Sequence, residues 1–265
     1  MDFSIIIGIL AGFFLMLWGI GFGSIGGFLD PPSAIIVVGG TLAALIASYP
    51  FSTLKNVPAH CKIMMQEKRW EPVPCIEKLV ELSQIARKDG LLALENLAND
   101  LPDPFFQSAV RSIVDMSDPD KLMKKLNHQL ENLYERHTYN IGIYEKGNSL
   151  APAFGMVGTL IGLIKMLKSM DLSAGGSSTL GESMSVALVT TFYGVVIANL
   201  LFGSIAKKLS IRNDEEYLYK QIIAEGVISI QSGDNPKFLR ENLYAMVAEK
   251  KQSSTTPAGG AGTHQ

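Results

Sequence analysis

Charged side chains vanish from four stretches of the chain and crowd into what lies between them. Phe3 to Gly23 carries no charge and is rich in Ile, Leu and Phe, and Ser33 to Tyr49 follows almost at once. Far along the chain, Leu150 to Met170 is apolar except for Lys165 and Lys168 near its end, and Met184 to Ile205 is apolar throughout. About 20 largely apolar residues suffice for a helix to cross a bilayer, so the pattern predicts four spans. Asp30-Pro31-Pro32 cannot continue a helix, which makes the first two spans a hairpin. Asp171 to Glu182, with Gly175-Gly176-Ser177-Ser178 inside it, closes the second. The first span lacks the basic n-region and small-residue cleavage site of a signal peptide.

The segments between and after the hairpins read as helical. Asp103-Pro104 and Asp118-Pro119 each set a capping acceptor before a proline at the first helical position. From Pro119 onward Leu122, Leu126, Leu130, Leu133 and Tyr134 recur at helical spacing, predicting a long helix that runs toward the third span and merges with it. The fourth span is expected to continue through Lys207, Leu209 and Tyr217 toward Ile230. Gln252 to Gln265 has no apolar periodicity and is expected to be disordered. The fold class predicted is all-α, a polytopic membrane protein with a helical cytoplasmic domain. Its expected divisions are residues 1–50 (first hairpin), 51–149 (cytoplasmic helical domain), 150–206 (second hairpin), 207–251 (helical extension) and 252–265 (tail).

Basic residues set the orientation. None lies in residues 1–50, thirteen lie between Phe51 and Ser149, and eight follow Ile205. Both long segments and both termini are therefore expected in the cytoplasm, with the two short turns outside. Charged residues make up 18% of the chain and the net charge is −2, so nothing points to nucleic acid. Cys61 and Cys75 form no CxxC, in keeping with a reduced compartment. His60, His128, His137 and His264 lack metal-ligand spacing, and no nucleophile–base set or phosphate loop marks an enzyme.

Small residues stripe the spans: Gly8, Gly12, Gly19 and Gly23 in the first, Gly40 and Ala44 in the second, Gly155, Gly158 and Gly162 in the third. In lipid, such stripes let helices approach closely. An ion at depth needs an ionisable group to compensate its lost water, yet no Asp or Glu lies inside any span. If the chain conducts ions, the carboxylate comes from another chain. The polar groups that do lie near mid-depth are Thr159, Thr190 and Thr191. Their hydroxyls either offer oxygen to a hard cation or bond the i−4 carbonyl of their own helix. Pro152 either marks a hinge or starts the membrane helix.

Up to about Ser232 the chain resembles the MotA/PomA family of flagellar stator subunits. The third span, APAFGMVGTLIGLIKML, and the fourth, MSVALVTTFYGVVIANL, are similar to the family's pore-lining helices, and ARKDGLLALE (Ala86 to Glu95) is similar to its rotor-contacting turn. The resemblance implies five A-type subunits around two B-type subunits of the MotB/PomB kind, each of which brings a membrane helix with an aspartate. It implies an inner-membrane location, ion-driven rotation of the A ring, and torque on the rotor protein FliG. It carries Arg87 and Glu95, with Lys88 beside them, to the rotor contact, and Pro152 to the proline at the cytoplasmic end of the third span. Further acidic positions of that contact are Asn96 and Ala98 here, and the family's second proline, late in the fourth span, is Ser204. Thr159 and Thr191 match threonines of the sodium-driven branch, while an aspartate of some sodium-type members is Ser149. The balance favours Na⁺ over H⁺ as the transported ion, with no cofactor. Two alternatives are an ExbB/TolQ-like energiser, which has three spans, and a non-conducting membrane scaffold.

Overall fold

The computed structural model describes residues 3–65, 70–116, 118–170 and 177–247. The low-complexity tail, and residues 171–176 of the connection between the last two spans, lie outside the described residues. Every regular element among the described residues is helical. The helices that matter here are α1 (Ser4–Ile20), α2 (Pro31–Ser48), α3 (Val57–Met65), α4 (Pro72–Asp89), α5 (Leu94–Ala98), α6 (Pro104–Asp115) and α7 (Pro119–Met170). They are followed by α8 (Ser177–Val196), α9 (Ser204–Ser232) and α10 (Pro236–Ala245).

Three helical runs are long and apolar enough to cross a membrane: Pro31–Ser48, Pro119–Lys168 and Leu180–Ser232. There are four such runs if α1 and the following 3₁₀ segment Phe22–Phe28, bent by 102° at their junction, count as one span. The expected first span thus ends at Gly21, where φ is +82°. The expected turn at Asp30 proves to be a helix start. The Asp30 carboxylate accepts the Ser33 N–H at 2.9 Å, and Pro31 and Pro32 occupy the first turn, where no N–H is needed.

Helix α7 is continuous over 52 residues, as the periodicity of its first half predicts, and Pro152 lies inside it. Pro152 therefore does not begin the helix. Lacking an N–H, Pro152 leaves the i−4 carbonyl, that of Asn148, without its helical donor. The fourth span continues into α9 as expected, through a π-helical segment at Ile197–Gly203 that nothing in the sequence pattern announced.

The chain divides into two compact units, Met1–Glu67 with His137–Arg212, and Lys68–Arg136 with Asn213–Gln265. In the first unit the small residues do the packing. A Cβ on Gly40 would meet the Phe154 ring at 2.4 Å, and one on Gly12 would meet Leu200 at 2.7 Å. Gly8, Gly19 and Gly23 have open space around them in the single chain. The second unit has a conventional apolar core: Leu122, Leu126 and Leu130 of α7 pack with Ile222, Ile223 and Val227 of α9 and with α4, α6 and α10. Burying each such leucine contributes roughly 1.5–3 kcal/mol. Near this core the Cys75 thiol is pushed up to about 12, chiefly by burial, which leaves it protonated and inert as a nucleophile.

Candidate functional site

Helices α7 and α8 meet along a seam of small residues. Gly155 faces the Thr190 carbonyl and the Cα atoms of Thr191 and Gly194, Gly158 faces Thr190, and Gly162 faces Ala187 and the Ser183 carbonyl. From the other side Gly194 faces the Ala151 carbonyl oxygen and the Pro152 Cα. Side chains at these positions would push the helices apart; without them the backbones touch, and groups at the edge of the seam come within hydrogen-bond reach.

Those edge groups are the threonines. The Thr159 and Thr191 hydroxyl oxygens lie 2.5 Å apart, across the two helices. Thr159 Oγ1 also reaches the Gly155 carbonyl of its own helix and the Ala187 carbonyl of the other, each at 3.1 Å. Thr191 Oγ1 stands 3.2 Å from the same Ala187 oxygen. Two hydroxyls carry two hydrogens and four lone pairs. One hydroxyl donates to the other, and the second donates to a backbone carbonyl. Three lone pairs then remain for a ligand, on residues that are half-buried (Thr159) and exposed (Thr191).

Thr190 stands apart from this pair. It is fully buried, and its hydroxyl lies 3.0 Å from both the Val186 and Ala187 carbonyls of its own helix. Its side chain fills the gap opposite Gly158. The structure therefore brings Thr159 and Thr191 together and places Thr190 behind them. Pro152 lies along the same seam, against Gly194.

Sequence reasoning missed the Ala187 carbonyl, on which all three threonine hydroxyls converge. The signal was available, since Ala187 is i−3 to Thr190 and i−4 to Thr191. It also missed Tyr193, whose hydroxyl donates to the Phe28 carbonyl and accepts the Asp30 N–H at 3.3 Å, tying the segment between α1 and α2 to α8.

The expected rotor-contact residues belong to the second unit. Arg87 and Lys88 occupy the last turn of α4, Glu95 the first turn of α5, and all three are exposed. Gly90 separates them with φ +86° and ψ 165°, a conformation essentially reserved for glycine. Leu94 is buried on one side of the turn while Leu92, at 73%, is exposed on the other. The turn thus displays Arg87, Lys88 and Asp89 before the break and Glu95 after it.

Residues 97–222 match the model of the MotA/TolQ/ExbB proton channel family. Motility protein A of Borreliella burgdorferi is 40% identical over 247 residues, covering 89% of this chain and 94% of that one. The chain belongs to this family. Chemotaxis protein PomA of Vibrio alginolyticus is 35% identical over 254 residues, covering 96% of this chain and 98% of its own length. The structure of the flagellar MotAB stator complex from Bacillus subtilis contains a chain of the same fold, with a TM-score of 0.84 and 27% identity over 96% of this chain and 99% of that one. As a MotA/PomA-type member the chain is an ion-conducting stator subunit of the inner membrane, an ion-channel component and not an enzyme.

Proposed function

We propose that the Thr159–Thr191 pair is a cation station of the ion path, and that the carboxylate working beside it belongs to a B-type partner. The observation that carries this reading is the pairing itself: two hydroxyls with spare lone pairs, open at the surface of the spans, in helices whose apolar stretches contain no acidic residue. Hydroxyls facing hydrocarbon are costly, so a partner helix or a file of water is the environment that suits them. The B. subtilis complex, which pairs a chain of this fold with a second kind of subunit, supports such a partner. In this reading several copies of the chain ring the B-type helices, five around two, with residues 1–50 and 150–206 in the membrane. Both short turns face outward, and both termini lie in the cytoplasm with residues 51–149 and 207–251. Pro152, with no N–H to donate, softens α7 where it meets Gly194 and serves as the hinge beside the path. Arg87, Lys88 and Glu95 form the charged turn that engages the rotor protein FliG.

Na⁺ is the favoured ion, because paired hydroxyl oxygens suit a hard cation and Thr159 and Thr191 match threonines of the sodium-driven branch that the chain resembles. H⁺ is the second reading, supported by the description of the family as one of proton channels. The test is to co-express the chain with its B-type partner in a strain lacking a stator and to record swimming speed against external Na⁺ at fixed proton-motive force. Speed that climbs and saturates with Na⁺ is expected; unchanged speed in sodium-free medium assigns the path to H⁺. Selective current from the chain alone would overturn the shared site.

A further inference from the structure

We infer that Asn199 is a second polar station of the ion path, on the cytoplasmic side of the threonine pair. This rests on the reading of Thr159 and Thr191 given above. Asn199 lies well inside the apolar stretch that ends at Ile205, about 9 Å short of that end at 1.5 Å per residue. Its amide Nδ2 donates to the Val195 carbonyl at 3.0 Å, while its Oδ1 accepts no hydrogen bond among the described residues. The side chain is exposed on the outside of the helix. A carboxamide oxygen left without a partner in an apolar medium is costly, and polar groups within spans turn toward protein or a water-filled cavity rather than lipid. Something polar therefore covers Oδ1.

The occupant follows from position. The exposed residues of this stretch, Ser185 with Met184 beside it, then Leu188, Thr191, Val195 and Asn199, follow at the three- and four-residue spacing of a single helix face. Ser185, Thr191 and Asn199 are its polar members, and Asn199 is the one beyond Thr191 toward Ile205. Asn199 therefore continues the face on which the cation station sits, about 12 Å along it, too far for direct contact and within reach through a short file of water. The backbone is unusual at this point. Asn199 lies in the middle of the π-helical segment, and the Ser204 hydroxyl donates to its main-chain carbonyl at 3.3 Å, holding the widened turn. Single π turns within α-helices recur at functional sites. A carboxamide oxygen suits a partly hydrated cation in transit: it offers lone pairs without the charge that would trap the ion.

The test uses the complex with the B-type partner, reconstituted in vesicles, with Na⁺ and H⁺ flux each measured against ion concentration at fixed membrane potential. The variants are Asn199→Ser, Asn199→Leu, Asn199→Gln and, as reference, Thr191→Val. Asn199→Ser and Asn199→Leu are expected to cut flux per assembled complex at least fivefold or to shift the half-saturating concentration by that factor. Asn199→Gln should stay within twofold of the parent. Should Asn199→Leu fail to co-purify with the partner, Asn199→Ser decides. Native flux and native half-saturation in assembled Asn199→Ser overturn the proposal, as does a loss that tracks only the amount of complex formed. If Thr191→Val abolishes flux while Asn199→Ser leaves it intact, the threonine station stands and this one falls; if Thr191→Val is also silent, the threonine reading itself fails.

Discussion

Thr190 is sealed against Gly158, and the fit leaves no room for another atom: a Cβ on Gly158 would stand 2.4 Å from the Thr190 Cβ. Neither group is the end of a flexible side chain, so the helices themselves must part. Gly158→Ala is therefore expected to destabilise the subunit by about 1–3 kcal/mol, the usual range for overpacking. Gly8→Ala, made where no atom lies within 4 Å, should leave the isolated subunit unchanged. Thermal unfolding of the two variants in one detergent compares them directly. Equal midpoints would mean that the seam between the third and fourth spans is looser than described.

The same burial separates two neighbouring threonines that sequence alone treats alike. Thr190 bonds only carbonyls of its own helix, the arrangement usual for a threonine in a span, and valine keeps its shape. Thr190→Val should retain ion-driven swimming, losing on the order of 1 kcal/mol of stability. Thr191→Val removes one oxygen of the pair at 2.5 Å and should abolish sodium-dependent swimming, with Thr191→Ser retaining part of it. Swimming speed at graded Na⁺, with the membrane level of each variant as control, reads both. Equal loss in the two variants would show that the hydroxyls act through packing.

How much of this the sequence disclosed depends on whether the signal was local. The continuity of α7 was legible because Leu122, Leu126 and Leu130 repeat at 3.6-residue spacing and no proline intervenes before Pro152. The exposed charges around Gly90 were legible because Asp89-Gly90 interrupts a helical pattern. Thr159 and Thr191 were legible as a pair only through the depth argument for antiparallel spans, which gives level and not azimuth. Azimuth decides that Thr191 faces out and Thr190 faces Gly158, and it comes from the glycine seam, a tertiary feature. The π-helical segment at Ile197–Gly203 and the tie from Tyr193 to Phe28 were invisible for a similar reason. One is a single-residue change of backbone winding within an apolar run, and the other joins residues far apart in the chain.

Gly90 carries a prediction about the charged turn proposed to engage the rotor. At φ +86° and ψ 165° an alanine costs roughly 1–3 kcal/mol of backbone strain, and the cheapest relief is to rotate the turn, which changes the angle between Arg87 and Glu95. Gly90→Ala should lower torque while leaving membrane insertion intact. It should be less harmful than reversing both charges, Arg87→Glu with Glu95→Arg. Bead-rotation speed under load, normalised to stator number at the motor, is the measurement. Full torque in the charge-reversed protein would remove this turn from the rotor contact.

His60 gives the first unit a dependence on acid. Its ring lies buried in α3, with Nδ1 3.0 Å from the Tyr144 hydroxyl of α7. Burial first, and then repulsion from His137, hold its pKa below the usual histidine value. In the unfolded chain the ring takes up a proton near pH 6.5; in the folded protein it resists doing so until lower pH. Between those two values the unfolded state binds more protons, so stability rises with pH there. The contribution is fully present above about pH 6.5 and is lost as pH falls toward the folded value. The unfolding midpoint should therefore drop between pH 7.5 and 5.5, and a side chain that cannot take up a proton at this site should blunt the drop. His60→Gln, which cannot charge yet can still meet the Tyr144 hydroxyl, should show a smaller fall over the same interval. Parallel pH profiles for parent and variant would mean that the ring exchanges protons freely in the folded state, and that another group sets the acid limit.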